Sequence, residues 1–233
     1  MFVLIRFVLI IIGYLFGMIQ TAYLYGKAKG IDIREHGSGN AGTTNTLRVL
    51  GKKAGLVVFV GDMLKTIIPV VIIGYVWVYM CGNGALNLTA SDIEYKYLWK
   101  LYIGLGAILG HNFPFYLGFK GGKGIASSGG MILGFHWTFI PVGFVLFFGV
   151  FAITNYVSLG SLCLLGGFFV QMVVSAVFGF GPFADITNNC IMIEMCIITF
   201  IISSLAFIRH RENIKRLINH NERKTYIFKK KQQ

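Results

Sequence analysis

Acidic side chains are scarce in this sequence. Nine Asp and Glu serve 233 residues, and charged residues of both signs make up only 13%. A soluble domain carries about 25% charged residues. So few cannot cover a water-facing surface, which excludes a soluble enzyme and a disordered chain. Cysteine is also sparse: Cys81, Cys163, Cys190 and Cys196 form no C-x-x-C and no zinc spacing. That excludes a disulfide scaffold and a zinc module. Cys163, Cys190 and Cys196 lie in apolar stretches and read as packing residues. From Gly124 to Ala184 there is no Asp, Glu, Lys or Arg at all.

Apolar residues fill that space. They make up 55% of the chain, and mean hydropathy is +0.70. The composition reads as an all-α integral membrane protein, one bundle in lipid formed by a single domain over residues 1–233. Thirty glycines suit close helix approach in such a bundle. No signal-peptide cleavage pattern marks the N-terminus, so the run from Phe2 to Tyr25 is taken as the first span. Further spans are expected near 54–80, 98–117 and 186–208.

Net charge is +12, and most of the 21 Lys and Arg fall in three segments. Loop 26–53 holds Lys27, Lys29, Arg34, Arg48, Lys52 and Lys53; loop 118–124 holds Lys120 and Lys123; the tail 209–233 is strongly basic. Positive charge marks cytoplasmic loops. The expected topology therefore has the N-terminus outside and the C-terminus cytoplasmic. The charge-free stretch must then cross an odd number of times. Three short helices fit, with breaks near Trp137–Pro141 and Thr154–Ser158, giving a seven-transmembrane-helix bundle. Five spans plus re-entrant segments are the alternative. The tail beyond Lys224 reads as a dispensable surface-binding run. Anionic lipid and anionic substrates, not nucleic acid, are the partners such charge placement suggests.

Topology brings three polar clusters to one face. The first runs Gly37-Ser38-Gly39-Asn40-Ala41-Gly42-Thr43-Thr44-Asn45-Thr46-Leu47-Arg48. It matches G-x-G-x-x-G formally, but a dinucleotide site needs a preceding strand and a later acid, and Asp62 lies in an expected span. Its glycines still let backbone N–H groups turn toward an anion, with Ser38, Thr44 and Asn45 as neutral donors and Arg48 as a phosphate fork. The second is Gly110-His111-Asn112-Phe113-Pro114 followed by Phe119-Lys120-Gly121-Gly122-Lys123-Gly124. It lacks the Ser or Thr of a Walker loop, yet two lysines among glycines make an anion cradle. His111 reads as a helix-end hydrogen bonder. The third, His210-Arg211-Glu212-Asn213-Ile214-Lys215-Arg216-Leu217, follows the last span and places His210 and Asn213 on one helical face. Each cluster also has a plain reading as a loop or a positive-inside anchor. Asp62 and Lys65, three apart in a span, read as an ion pair supporting the first loop; Glu194 has no assigned role. No His precedes an Asp by five positions and no G-x-S-x-G occurs, which removes two common hydrolase and acyltransferase sites.

These clusters, in this order, resemble the bacterial acyl-phosphate:glycerol-3-phosphate acyltransferase family, the PlsY family. The similar segments are Gly37–Arg48 with Asp62-x-x-Lys65, GHNFPFYLGFKGGKG at 110–124, and HRENIKRL at 210–217. Three departures stand out: His220 replaces a usual glycine, Thr43 a frequent Ala, and Ser127 a frequent Thr. The resemblance implies a seven-helix enzyme of the inner (plasma) membrane with its site at the cytoplasmic face. It implies acyl transfer from acyl phosphate to the 1-hydroxyl of glycerol 3-phosphate, giving lysophosphatidate and phosphate in phospholipid biosynthesis, without metal or cofactor. A soluble enzyme making acyl phosphate would be a partner. On this reading Ser38, His210 and Asn213 serve the chemistry. Thr44, Asn45, Arg48, Lys120, Gly121, Gly122 and Lys123 hold phosphates, and Asn40, Gly42, Asp62, Lys65, His111 and Arg211 support them. The main rival is a transporter of a phosphorylated solute.

Overall fold

The computed structural model describes residues 1–226 and contains no strand among them. Lys229, Lys230 and Lys231, assigned above to the basic tail, lie outside the described residues. The helices are α1 (Phe2–Gly17), α2 (Thr21–Ala28), α3 (Thr43–Leu50), α4 (Lys52–Gly82), α5 (Tyr95–Asn112) and α6 (Ile125–Phe135). They continue with α7 (Phe139–Phe144), α8 (Val150–Thr154), α9 (Val157–Phe178), α10 (Asn189–Arg209) and α11 (Arg211–Ile218). A π-helical stretch, Val145–Gly149, joins α7 to α8.

Four segments are long and apolar enough to cross a membrane: Phe2–Ala28, Lys52–Gly82, Val157–Phe183 and Asn189–Arg209. The 31 residues of α4 rise about 46 Å, well over a bilayer core of about 30 Å. By contrast, the 11 residues of α6 rise about 16 Å, half of such a core. Polarity is inverted relative to a soluble protein. Large apolar side chains such as Leu4, Phe7, Tyr75, Ile153 and Val177 face outward, while Gln20, Asp62, Lys65 and His111 are buried. Only lipid makes that arrangement favourable. The helices of the charge-free stretch break at 136–138 and 155–156, where Asn155 takes a left-handed φ of 60°.

The middle of the bundle is α5, which is buried on nearly every face and touches α1, α4, α6 and α10. Its fit to α1 rests on reciprocal glycines. A Cβ on Gly13 or Gly17 would lie 2.1 or 2.0 Å from the carbonyl oxygens of Ile103 and Ala107. A Cβ on Gly106 or Gly110 would lie 2.3 or 2.1 Å from those of Ile10 and Tyr14. Small residues four apart on both partners bring the backbones into contact.

The first span is not one continuous helix. It breaks between Gly17 and Thr21, where Lys65 takes over a freed carbonyl and Gln20 in turn satisfies one at the end of α5. Lys65 Nζ donates to the Ile19 carbonyl (2.7 Å), and Gln20 Nε2 donates to that of His111 (2.8 Å). At the opposite end of the bundle Glu94 receives hydrogen bonds from Thr187 and Asn188, just before α10 begins. Glu194 also gains a role. It accepts from Arg6 Nε (2.5 Å) and Nη2 (2.6 Å) and from the Tyr102 hydroxyl (2.5 Å), tying α1, α5 and α10 together. All four cysteines are free; Cys81 is buried, but Cys190 is exposed and does not serve the packing role expected of it.

Candidate active site

A cavity of about 960 Å³ opens where α5 and α10 end and α6 and α9 begin. Its lining draws on all three polar clusters: Ser38, Asn40, Gly42, Thr44, Asn45 and Arg48; His111, Lys120, Gly121 and Lys123; His210 and Asn213. Asp62 reaches it from α4. No residue of the opposite-end segments 83–94 and 179–188 lines it.

The charge pattern selects the ligand. The first turns of α3, α6, α9 and α11 all contribute lining residues, and helix N-termini carry partial positive charge. Several lining acids already have cations: Asp32 has Arg34 (2.8 Å), Asp62 has Lys65 (2.9 Å), and Glu222 has Arg216 (2.7 Å). Among the described residues, Arg48, Lys120, Lys123 and Arg209 have no carboxylate partner. The cavity is therefore lined by cations that no carboxylate compensates.

Each cluster is held by its own hydrogen bonds. In the first, Asn45 is only 1% exposed. Its Oδ1 accepts from Ser38 N–H (2.8 Å), and its Nδ2 donates to the carbonyls of Ile33 and His36 (3.1 and 2.9 Å). Asn45 thus staples the loop and has no amide group left to give a phosphate. The bonds hold Ser38 at the exposed rim.

Gly121 and Gly122 also differ from expectation. Their N–H groups donate to Asn112 and His111 carbonyls (3.2 and 3.1 Å), so they are not phosphate donors. Their carbonyls accept from Arg209 Nη2 (3.3 and 2.8 Å). Glycine is needed at 122 for room: a Cβ there would lie 2.0 Å from His111 Nε2. His111 itself receives Lys65 Nζ at Nδ1 (2.8 Å). The Asp62–Lys65 pair therefore supports the break in the first span and the second cluster, and Thr21 Oγ1 also donates to Asp62 (3.1 Å). Lys65 and Gly122 stand behind the cavity wall and do not line it. Arg211 is exposed, 3.6 Å from Glu212, and does not support the site as expected.

Asn213 joins the clusters. Its Oδ1 accepts from Lys123 Nζ, and its Nδ2 donates to Glu222 Oε1 (2.7 Å). Glu222 also accepts from Ser158 Oγ (3.0 Å) and Arg216 Nε (2.7 Å). Burial pushes the Glu222 carboxyl up, and the hydrogen bonds from Asn213, Arg216 and Ser158 more than reverse this, leaving it below its ordinary value. Burial, then the charge of Arg216, holds Lys123 down at about 8. Burial, then Lys123, holds His210 down at about 4, so its ring is neutral at pH 7. His210 Nδ1 lies 2.8 Å from the Ala206 carbonyl, which can only accept. Nδ1 therefore carries the proton, and Nε2 is a free acceptor.

Arg34, Ser158, Ser161, Arg209, Arg216 and Glu222 line the cavity, although none of them is assigned a role in the site by the sequence. Ser158 had one signal, its place at an expected helix break. A second, apolar groove of about 110 Å³ runs off the cavity. The two share Phe59, Ile125, Ala126 and Phe147, and Met63, Gly129, Ile132, Phe144 and Leu164 continue the groove.

The glycerol-3-phosphate acyltransferase family profile matches residues 7–220. The chain belongs to this family. It is 36% identical to the glycerol-3-phosphate acyltransferase of Endomicrobium trichonymphae, covering 98% of this chain and 100% of the relative. It is 40% identical to that of Streptococcus thermophilus over 92% of this chain and 90% of the relative. Crystal structures of PlsY, an integral membrane glycerol 3-phosphate acyltransferase, share the fold. The glycerol 3-phosphate form superposes with a TM-score of 0.74 at 32% identity, covering 95% of this chain and 96% of that one. The lysophosphatidic acid form gives 0.71 at 31% identity. This family is the one the three motifs resemble, and the chain is a membrane acyltransferase.

Proposed function

We propose that this chain transfers a fatty acyl group from acyl phosphate to the 1-hydroxyl of glycerol 3-phosphate, producing lysophosphatidate and phosphate. The observation that carries this reading is the union of an uncompensated cationic cavity with an apolar groove. One substrate is a small phosphate ester. The other is a phosphate on a hydrocarbon chain. Arg48, Lys120 and Lys123 hold the phosphates, with Thr44 and the first turns of α3 and α6. The acyl chain lies along Met63, Gly129 and Phe144. Relatives named for glycerol 3-phosphate, and PlsY captured with glycerol 3-phosphate and lysophosphatidic acid, support the acceptor and the product.

Acyl phosphate is already activated, so no acyl-enzyme is required. The glycerol hydroxyl oxygen attacks the acyl carbon, the bond from that carbon to the phosphate oxygen breaks, and phosphate leaves. His210 Nε2 accepts a hydrogen bond from the hydroxyl and orients it. A group held near 4 is too weak a base to keep the proton, which ends on the departing phosphate. Ser38 and Asn213 donate toward the developing oxyanion. Alignment of this kind supplies up to about 7–11 kcal/mol, and oxyanion donors about 3–4 kcal/mol each.

The seven segments α1–α2, α4, α5, α6, α7–α8, α9 and α10 cross an inner (plasma) membrane as one domain, the short α6 completing its crossing through the flanking segments 118–124 and 136–138. The N-terminus lies outside, and the cavity faces the cytoplasm beside the basic loops. A soluble enzyme that makes acyl phosphate supplies the donor there. The lining favours an enzyme over a transporter, because the cavity has no wall from the opposite end. One assay decides the donor: purified chain with glycerol 3-phosphate and acyl phosphate, acyl-CoA or acyl carrier protein. Lysophosphatidate should form with acyl phosphate alone. Turnover with acyl-CoA, or solute uptake into liposomes without turnover, refutes the proposal.

A further inference from the structure

The family match ends at residue 220, but residues 221–225 beyond it stay on the molecule. His220 turns the backbone with a left-handed φ of 55°, and the following segment reaches the cavity, where Glu222 and Arg223 form part of the lining. Thr225 is only 6% exposed, and its N–H donates to the Asn155 carbonyl (2.9 Å) at the corner between α8 and α9. Lys224 sits over the Tyr156 ring at 5.6 Å. With Glu222 held by Ser158, Asn213 and Arg216, the segment is tied down at three places.

Among the described residues, Arg48 makes its hydrogen bonds only to this segment. Its Nη2 donates to Thr225 Oγ1 (3.0 Å) and to the Arg223 carbonyl (3.4 Å). Its Nε–H and the N–H groups of Nη1 carry no bond to this segment and stay available as single donors to phosphate oxygens. The guanidinium stands near Arg216 and Arg223 as well as Glu222. An untethered Arg48 would leave those like charges for water.

We propose that residues 221–225 are a strap that completes the cavity, and that Thr225 is a positioning residue which aims Arg48 at the phosphate of glycerol 3-phosphate. This rests on the phosphate role given to Arg48 above. Fixing a long side chain before the ligand arrives removes an ordering cost from binding, so the effect falls on affinity and not on the chemical step.

The test uses the full chain, purified, with steady-state kinetics and calorimetry of inorganic phosphate. Thr225→Val keeps the shape and removes the acceptor. It should raise KM for glycerol 3-phosphate about fivefold, the weight of one hydrogen bond, and weaken phosphate binding equally, with kcat kept within about twofold. Thr225→Ser should restore both. In an Arg48→Ala background, Thr225→Val should add nothing further. Wild-type KM and phosphate affinity in Thr225→Val would overturn the inference. So would a loss of kcat and melting temperature at unchanged KM, the mark of a purely structural role. If the chain turns over no acyl phosphate, the functional reading falls, and phosphate calorimetry still decides the part played by Thr225.

Discussion

Arg48 offers the sharpest single-residue test. Losing its charge-assisted contact should raise KM for glycerol 3-phosphate about 10- to 100-fold, the equivalent of 1.5–3 kcal/mol. Arg48→Ala with unaltered KM would remove it from phosphate binding. The pH profile of kcat/KM tests two further residues. Lys123, held at about 8, loses its proton as pH rises through that value, and the cavity loses a cation facing the phosphate. Activity should therefore fall on the alkaline side. His210, held at about 4, gains a proton only in acid, and its Nε2 then ceases to accept. Activity should fall again as pH drops toward 4. In Lys123→Arg the alkaline fall should move up beyond the measured range; a profile flat from pH 7 to 10 in the wild type contradicts the assignment. At this scale the sequence disclosed which residue types meet, but not how each is used. Asn45, Gly121 and Gly122 carry the right chemistry for phosphate, yet their polar groups are consumed in holding the loops. Motif spacing does not reveal such internal use.

Individual helices carry two stability predictions. The end of α11 is a Schellman turn: Asn221 N–H donates to the Arg216 carbonyl (2.9 Å), and His220 N–H to that of Leu217 (3.2 Å). The left-handed position in it is His220, a conformation that glycine adopts at no steric cost. His220→Gly should raise stability by up to about 1 kcal/mol, seen as a higher melting temperature in detergent. The α1–α5 contact predicts the opposite outcome. Gly106→Leu drives a side chain into the Ile10 carbonyl, and should cost about 3 kcal/mol or more. An unchanged melting curve would contradict the reciprocal glycine seam. Hydropathy made the long helices and both later breaks legible, because apolar runs and polar interruptions are local. The break at 18–20 was not legible. The side chain that sustains it, Lys65, comes from another helix. The short helix α3 was hidden for a similar reason, since a polar loop gives no apolar period.

For the whole molecule, topology is the decisive measurement. In a chain stripped of its four cysteines, single cysteines at Ser38, Lys120 and Arg223 should react with an impermeant maleimide only in inside-out vesicles. Those at Asn83 and Asp185 should react only in right-side-out ones. Labelling of any of the first three from the outer side would dissolve the shared cavity. That three distant segments meet was legible because the basic residues mark one face. The C-terminal strap was not, because a run of Lys and Arg reads as a loose tail until Thr225 is seen against Asn155. The joining of a wet chamber to a greasy trough has a kinetic consequence. One product can escape into bulk solution while the other slips sideways among lipids. Turnover will then depend on how crowded the surrounding bilayer or micelle is with the long-chain species, and diluting that surface with inert amphiphile will slow the enzyme even at constant total concentration.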